Sequence, residues 1–324
     1  MILFETVLQD LRYGARTLLR NAGFTAVSIL ALALGIGVNT AVFTAYRAFV
    51  LRPLDARDPG TMVNVALRLQ SGVINARLSY PDYEAYRDHL RSFSGVIAFS
   101  IEQLRLTGTE GLGSQRSAET GSLMGRLGLL RPSANNAEFA STFMVSENYF
   151  SVLGVAALGG RTFESIGLPA LAASPAVLIS ENYWQRRFGG DPAMLGKTVR
   201  LNGAAFTIVG ITPHDFVGTS VVVPDFWLPL NLELLVHPES HRLQDRDDLF
   251  CRVFGRLTPG VSMAQAQAET TLLASQLRTL HDPHADLSKD VTAVISPGSP
   301  FPGQMSAGLR LAVILIMVGV AMVL

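Results

Sequence analysis

The order of apolar and polar positions divides the chain into two apolar ends and a long mixed middle. Residues 24–46 (FTAVSILALALGIGVNTAVFTAY) run for 23 positions without a charge. At about 1.5 Å per residue such a helix covers the roughly 30 Å hydrocarbon core, so the pattern predicts a transmembrane helix over 22–49. A cleaved signal peptide fits less well, because about twenty residues precede the run and no small-x-small site follows Tyr46. Before it, residues 1–21 set Leu3, Val7, Leu8, Leu11 and Leu18 among Arg12, Arg16 and Arg20, the pattern of an amphipathic segment at the membrane surface. At the other end, residues 311–324 (LAVILIMVGVAMVL) are uniformly apolar. They supply only about 21 Å of helix, so residues 309–324 are expected to be the truncated start of a second span. Arginines flank the first span equally, with Arg12, Arg16 and Arg20 before it and Arg47, Arg52 and Arg57 after it, so charge leaves its orientation open.

Between these ends the period changes repeatedly from helical to alternating, which predicts an α+β body over 50–308. Ser79 caps a helix that places Tyr83, Tyr86 and Leu90 on one face, and a strand follows over 96–106. Ser262 and Gln265 form a capping box after the breaker Pro259-Gly260, opening a helix with a Leu273, Leu277 and Leu280 stripe. Asn202-Gly203 is a two-residue hairpin turn that would pair Leu201 with Ala204 and Val199 with Phe206. The hexapeptide 145–150 (VSENYF) recurs at 179–184 (ISENYW), which reads as two copies of a strand-to-helix unit with a Ser cap, closed by Gly154 and by Gly189. From Thr107 to Ser141 a Gly- and Ser-rich stretch reads as a long excursion.

Composition agrees with a membrane protein. Charged residues make up 16% of 324, against about 25% in a soluble domain. Mean hydropathy is +0.31. A net charge of zero argues against nucleic acid as a partner, since no basic excess exists to displace counterions. A single cysteine, Cys251, excludes a disulfide framework and a cysteine zinc site.

No motif for chemistry survives its context. Gly196-Lys197-Thr198 copies the end of a phosphate-binding loop, but position 191 is Asp where the pattern needs Gly, and a strand is expected where the motif needs a helix. His237 and His241 are four apart with Pro238 between them, which does not suit a helical zinc pair. Asp245, Asp247 and Asp248 lack the central Gly and terminal Glu of a calcium loop, and no G-x-S-x-G elbow occurs. No catalytic, cofactor or metal residues are therefore assigned, and no enzyme activity is expected. The positions singled out lie in the first span. Ala31, Ala33, Gly35, Gly37 and Ala41 recur at small-xxx-small spacing that lets helices approach closely, and Asn39 would be costly facing lipid. Membrane lipid and neighbouring helices, of further copies or of other subunits, are the partners this implies.

Several segments resemble one family in order along nearly the whole chain. They are LALALGIGVNTAVF (30–43), SYPDY (79–83), NYFSVLG (148–154), YWQRRFGGD (183–191), LGKTVRLNG (195–203) and GRLTPGV (255–261). They are similar to MacB-like, FtsX-related ABC transporter permeases, most of all the duplicated orphan permeases described in acidobacteria. The resemblance implies a plasma (inner) membrane subunit with a cytoplasmic N-terminus and a MacB-like extracytoplasmic core domain over 50–308. That domain would comprise a membrane-proximal α/β part, about 60–106 and 248–300, and an inserted, mostly β part, about 107–247. The resemblance also implies a mechanical coupler worked by an ABC ATPase, either a separate subunit or a fused one. The 107–141 excursion is longer than the family's equivalent, and Glu147 stands where the family more often has a small residue. A single-span anchored sensor or binding module is the alternative, and would need no second crossing.

Overall fold

The computed structural model describes residues 13, 16, 18–49, 54–69, 71–110, 138–281 and 292–300. The second apolar run, most of the amphipathic N-terminal segment and residues 111–137 of the excursion lie outside the described residues. The chain divides into two units, Met1–Arg52 with Gln304–Leu324, and Pro53–Gly303.

In the first unit, helix α1 covers Ala22–Phe49. Its Ala22–Ala41 stretch is long and apolar enough to cross a membrane. Phe24, Val27, Leu30, Leu34 and Ile36 are all exposed, as suits a helix whose surroundings are lipid. A turn at Asn21 precedes it, where Thr25 donates its N–H to the Asn21 carbonyl and its hydroxyl to the Leu18 carbonyl, at 3.0 and 2.8 Å.

The second unit is built on one sheet. Its strands are β1 (Met62–Arg68), β2 (Ile74–Asn75), β3 (Arg77–Leu78), β4 (Phe93–Glu110), β5 (Glu138–Val145), β6 (Gly159–Gly160), β7 (Ala176–Ser180), β8 (Thr198–Leu201), β9 (Ala204–Thr212), β10 (Phe226–Pro229), β11 (Cys251–Leu257) and β12 (Thr292–Pro297). The main path runs β12-β1-β11-β4-β5-β10-β7-β9-β6. Helices α2 (Tyr80–His89), α3 (Tyr149–Leu153), α4 (Leu168–Ala173), α5 (Glu181–Phe188), α6 (Glu233–Val236) and α7 (Met263–His281) cover its faces.

Both faces are buried, which explains why central strands read as unbroken apolar runs. Along β4, Val96 and Ala98 enter one core while Ile97 and Phe99 enter the other. Tyr83 and Tyr86 of α2, Tyr183 of α5 and Ala266 of α7 fill the first core. The second is aromatic: Trp227 is fully buried, with ring centroids of Phe143, Phe216, Phe150 and Tyr149 at 5.1, 5.2, 5.4 and 5.6 Å. β4 pairs with β11 and then β8 along one side and with β5 along the other, so a single strand ties the two ends of the sheet together.

Local signals in the sequence correspond to local structure. Ser79 accepts the Asp82 N–H at 3.3 Å. Ser262 and Gln265 exchange the two capping-box bonds, at 2.9 and 3.3 Å. In the 198–207 hairpin Leu201 faces Ala204 and Val199 faces Phe206, with Asn202 and Gly203 at φ 49° and 87°. Two expectations need correction. Leu280, expected in the α7 stripe, is exposed, while Leu273 and Leu277 pack on the core. The repeated hexapeptide does make a strand-to-helix turn twice, closed by Gly154 and Gly189 at φ 72° and 61°, but the two units are not equivalent. Ser180 caps α5 by accepting the Tyr183 N–H at 3.2 Å, but Ser146 instead accepts the Ala98 N–H across the sheet at 3.2 Å. The following helices lie on opposite faces, α3 in the aromatic core and α5 on the other. β5 runs parallel and β7 antiparallel to the shared neighbour β10, and this turns the two copies to opposite sides.

At the β12 edge, the Gln267 side-chain amide donates to the Ala293 carbonyl and accepts the Ile295 N–H, both at 2.7 Å.

Candidate functional site

The chain enters the sheet domain through residues 54–61 and leaves it through 297–300, and polar contacts fasten both segments to the unit. Leu54 is 2% exposed and belongs to the aromatic core. Asp55 accepts the Val217 N–H at 3.0 Å and donates its own N–H to the Gly218 carbonyl at 3.2 Å. The Arg57 N–H reaches the Leu153 carbonyl at the end of α3, at 2.7 Å. On the outgoing side, buried Asn64 of β1 donates to the carbonyls of Pro297 and Ser299, at 3.4 and 3.2 Å, and the Gly298 N–H donates to the Met62 carbonyl at 2.8 Å.

Two arginines on β11 hold these segments. Arg252 places its guanidinium over the rings of Phe99 and Phe254, 5.2 and 5.3 Å from their centroids, and donates from Nη1 to the Pro300 carbonyl at 2.8 Å. Burial there pulls its pKa down to about 10, which still leaves it charged at neutral pH. Arg256 donates from Nε to the Val152 carbonyl at 2.8 Å and from Nη1 to the Thr61 hydroxyl at 2.6 Å. Burial lowers its pKa as well. Neither arginine was singled out from the sequence. The available signal is weak: in β11 (CRVFGRL) both stand on the side of Phe254, where period-2 alternation on a doubly buried strand calls for apolar residues.

A second polar cluster surrounds Glu233 of α6, which is fully buried. Its Oε1 accepts the Ser240 hydroxyl at 3.2 Å and lies 3.6 Å from Arg242, which also meets Glu102 at 2.9 Å and Asp248 at 3.3 Å. Glu233 Oε2 has no hydrogen-bond partner among the described residues. Burial raises its pKa, against the pull of His237 and Arg242. The folded state therefore holds this proton more tightly than the unfolded chain does. The contribution is fully present below the ordinary carboxylate pKa and is lost as pH rises through the folded-state value. Glu233→Gln is expected to flatten this dependence, so that urea unfolding of the Pro53–Gly303 unit shows the variant gaining on the parent as pH rises above the ordinary carboxylate range. A gap that stays constant over that rise would show that Glu233 does not titrate there.

The residues singled out in the first span all lie on α1. Ala31, Ala33, Gly37 and Ala41 are exposed, whereas Gly35 and Asn39, four apart on one face, are half-buried. A Cβ on Gly37 would meet nothing within 4 Å, and Asn39 Oδ1 has no partner among the described residues. Gly196 adopts φ 83° and Thr198 opens β8, so no helix follows the GKT triplet. Among the described residues no three His, Cys, Asp or Glu side chains converge as metal ligands.

An apolar helix of membrane-spanning length, a doubly covered α+β sheet and two fastened chain segments define a membrane-anchored domain protein with no catalytic constellation among the described residues. Residues 25–273 match the MacB-like periplasmic core domain, and the chain belongs to that family. It is of the ABC-transporter permease type, an inner-membrane protein with an extracytoplasmic segment. Among solved structures, a domain described as that of a permease protein from Porphyromonas gingivalis is 19% identical, with TM-score 0.51, covering 78% of this chain and 97% of its own. The periplasmic region of MacB from Actinobacillus actinomycetemcomitans is 14% identical, with TM-score 0.47, covering 80% and 94%. The extracellular domain of the noncanonic ABC-type transporter YknZ from Gram-positive bacteria is 13% identical, with TM-score 0.45, covering 72% and 99%. No curated protein gives a significant match.

Proposed function

We propose that this chain is the permease subunit of a MacB-like ABC transport system. In this reading, ATPase motion on the cytoplasmic side passes through the membrane spans into the extracytoplasmic domain and drives export or mechanotransmission. The observation that carries it is the fastening of both chain segments, incoming and outgoing, to one sheet, on top of membership of the family. A domain tethered only to present a binding surface has no need of two such attachments. The layout proposed is a cytoplasmic segment 1–21, a span 22–49, an extracytoplasmic domain 50–308 and a second span beginning at 309, with the orphan permeases of acidobacteria as kin. Gly35, Gly37 and the neighbouring alanines then serve helix packing against further copies or other spans.

The test is biochemical. The full-length protein, purified from its own membranes in mild detergent, should bring with it ATP hydrolysis that vanadate inhibits. The Pro53–Gly303 unit purified in the same way should bring none. Full-length protein that is intact and membrane-inserted yet carries no ATPase would overturn the coupled reading in favour of an anchored module.

A further inference from the structure

The two segments that connect the sheet to the flanking regions of the chain touch each other. A Cβ built on Gly298 would lie 2.8 Å from Leu54 Cδ1 and 2.8 Å from the Met62 carbonyl oxygen. Only a residue without a side chain lets the outgoing segment lie this close to the buried leucine of the incoming one.

Both segments are also gripped by side chains of the same strand. Arg256 reaches the incoming side through the Thr61 hydroxyl, with the Asp58 carbonyl at 3.5 Å, and Arg252 reaches the outgoing side through the carbonyls of Pro300 and Ser299. Four residues apart on β11, the two side chains leave the same face of the strand, about 13 Å from one another along it. β11 is itself central, hydrogen-bonded to β1 and β4. On the outgoing side the charge-assisted bonds go to backbone carbonyls and so grip the chain path itself, whereas on the incoming side the short bond is to the Thr61 side chain.

We propose that Arg252 and Arg256 are positioning residues that bind the incoming and outgoing linkers, with Leu54 seated on Gly298, into one mechanical element carried by β11. The inference rests on the permease reading for its use, since a single element is what transmits paired movement of two spans without letting either slip. Release of one linker should therefore loosen the other, although the two arginines contact different segments.

Hydrogen exchange on full-length protein in lipid nanodiscs reads this directly. In Arg252→Met, which keeps the apolar stem and loses the fork, the Gly298 and Ser299 amides should exchange at least about tenfold faster, the factor implied by losing one hydrogen bond to a charged group. The Asp55 and Arg57 amides on the other linker should also quicken, while the 198–207 hairpin stays unchanged. Arg252→Lys keeps the charge without the fork and carries the test should the methionine variant not fold. Gly298→Ala, with both arginines intact, should loosen the same two linkers by wedging them apart. Acceleration confined to 298–299 would show independent linkers and overturn the proposal. Uniform acceleration, hairpin included, would show general loss of stability and also overturn it. The measurement needs neither an ATPase nor a transported substrate, so failure of the shared element and failure of the transport reading are seen separately.

Discussion

Trp227→Ala should cost the Pro53–Gly303 unit about 3–5 kcal/mol, the range for truncating a large buried aromatic side chain. Trp227 is fully buried, and it stands at the centre of a cluster in which Phe143, Tyr149, Phe150 and Phe216 all lie within 5.6 Å, centroid to centroid. These rings come from β5, α3 and the loop after β9, so the cavity would open where three elements meet. The indole Nε1 has no hydrogen-bond partner among the described residues. Trp227→Phe therefore forfeits volume but no polar bond, and should recover most of the loss. Guanidinium unfolding at constant m reads both variants. An alanine variant within about 1 kcal/mol of the parent would place the stability centre elsewhere.

Gly218→Val is expected to have the next largest effect, and to act on the incoming linker as well as on stability. Gly218 adopts φ 58°, and a Cβ there would collide with the Tyr149 hydroxyl. That hydroxyl accepts the Thr219 N–H at 3.0 Å and pairs with the Thr219 hydroxyl at 2.8 Å, all buried. Strain of about 1–3 kcal/mol for a left-handed non-glycine residue adds to the loss of these buried bonds. The Gly218 carbonyl also receives the Asp55 N–H, so the linker should loosen with it. Tyr149→Phe removes the hydroxyl without moving the backbone and serves as the control. Thermal unfolding together with proteolysis near Arg57 separates the two effects: Gly218→Val should show both, and Tyr149→Phe mainly the first. Equal cleavage in parent and Gly218→Val would disconnect the loop from the linker.

Features set by a few neighbouring residues were legible in the sequence. The Ser79 cap, the Ser262 and Gln265 box and the Asn202-Gly203 hairpin each depend on groups within about one turn, where propensity and hydrogen bonding decide locally. The Ser146 reading failed for the same reason in reverse. Its hydroxyl is claimed by Ala98, 48 positions away, because β4 and β5 are paired there. The linker arginines were invisible on similar grounds: Arg252 meets Pro300 across 48 positions and Asp55 meets Val217 across 162. An inward-facing arginine in a strand signals a buried acceptor but does not say which one, since backbone carbonyls leave no mark in side-chain pattern. The first-span positions follow a spacing rule alone, and spacing does not name the helix on the other side.

The Gln267 amide fixes how this domain can meet its neighbours. Strand addition needs a free row of N–H and C=O groups, and at the β12 margin Ala293 and Ile295 are already answered by a side chain of the same molecule. Thr271 adds a second donor to Ala293 at 3.3 Å. At the opposite margin β6 offers only two residues, Gly159 and Gly160. Among the described residues, strand addition is thus obstructed at the middle of β12 and has little to pair with at β6. These margins thereby turn a second copy or another subunit away from strand addition and toward contact through loops, helices or the membrane spans, which protects crowded copies from the edge-to-edge pairing to which open sheets are prone.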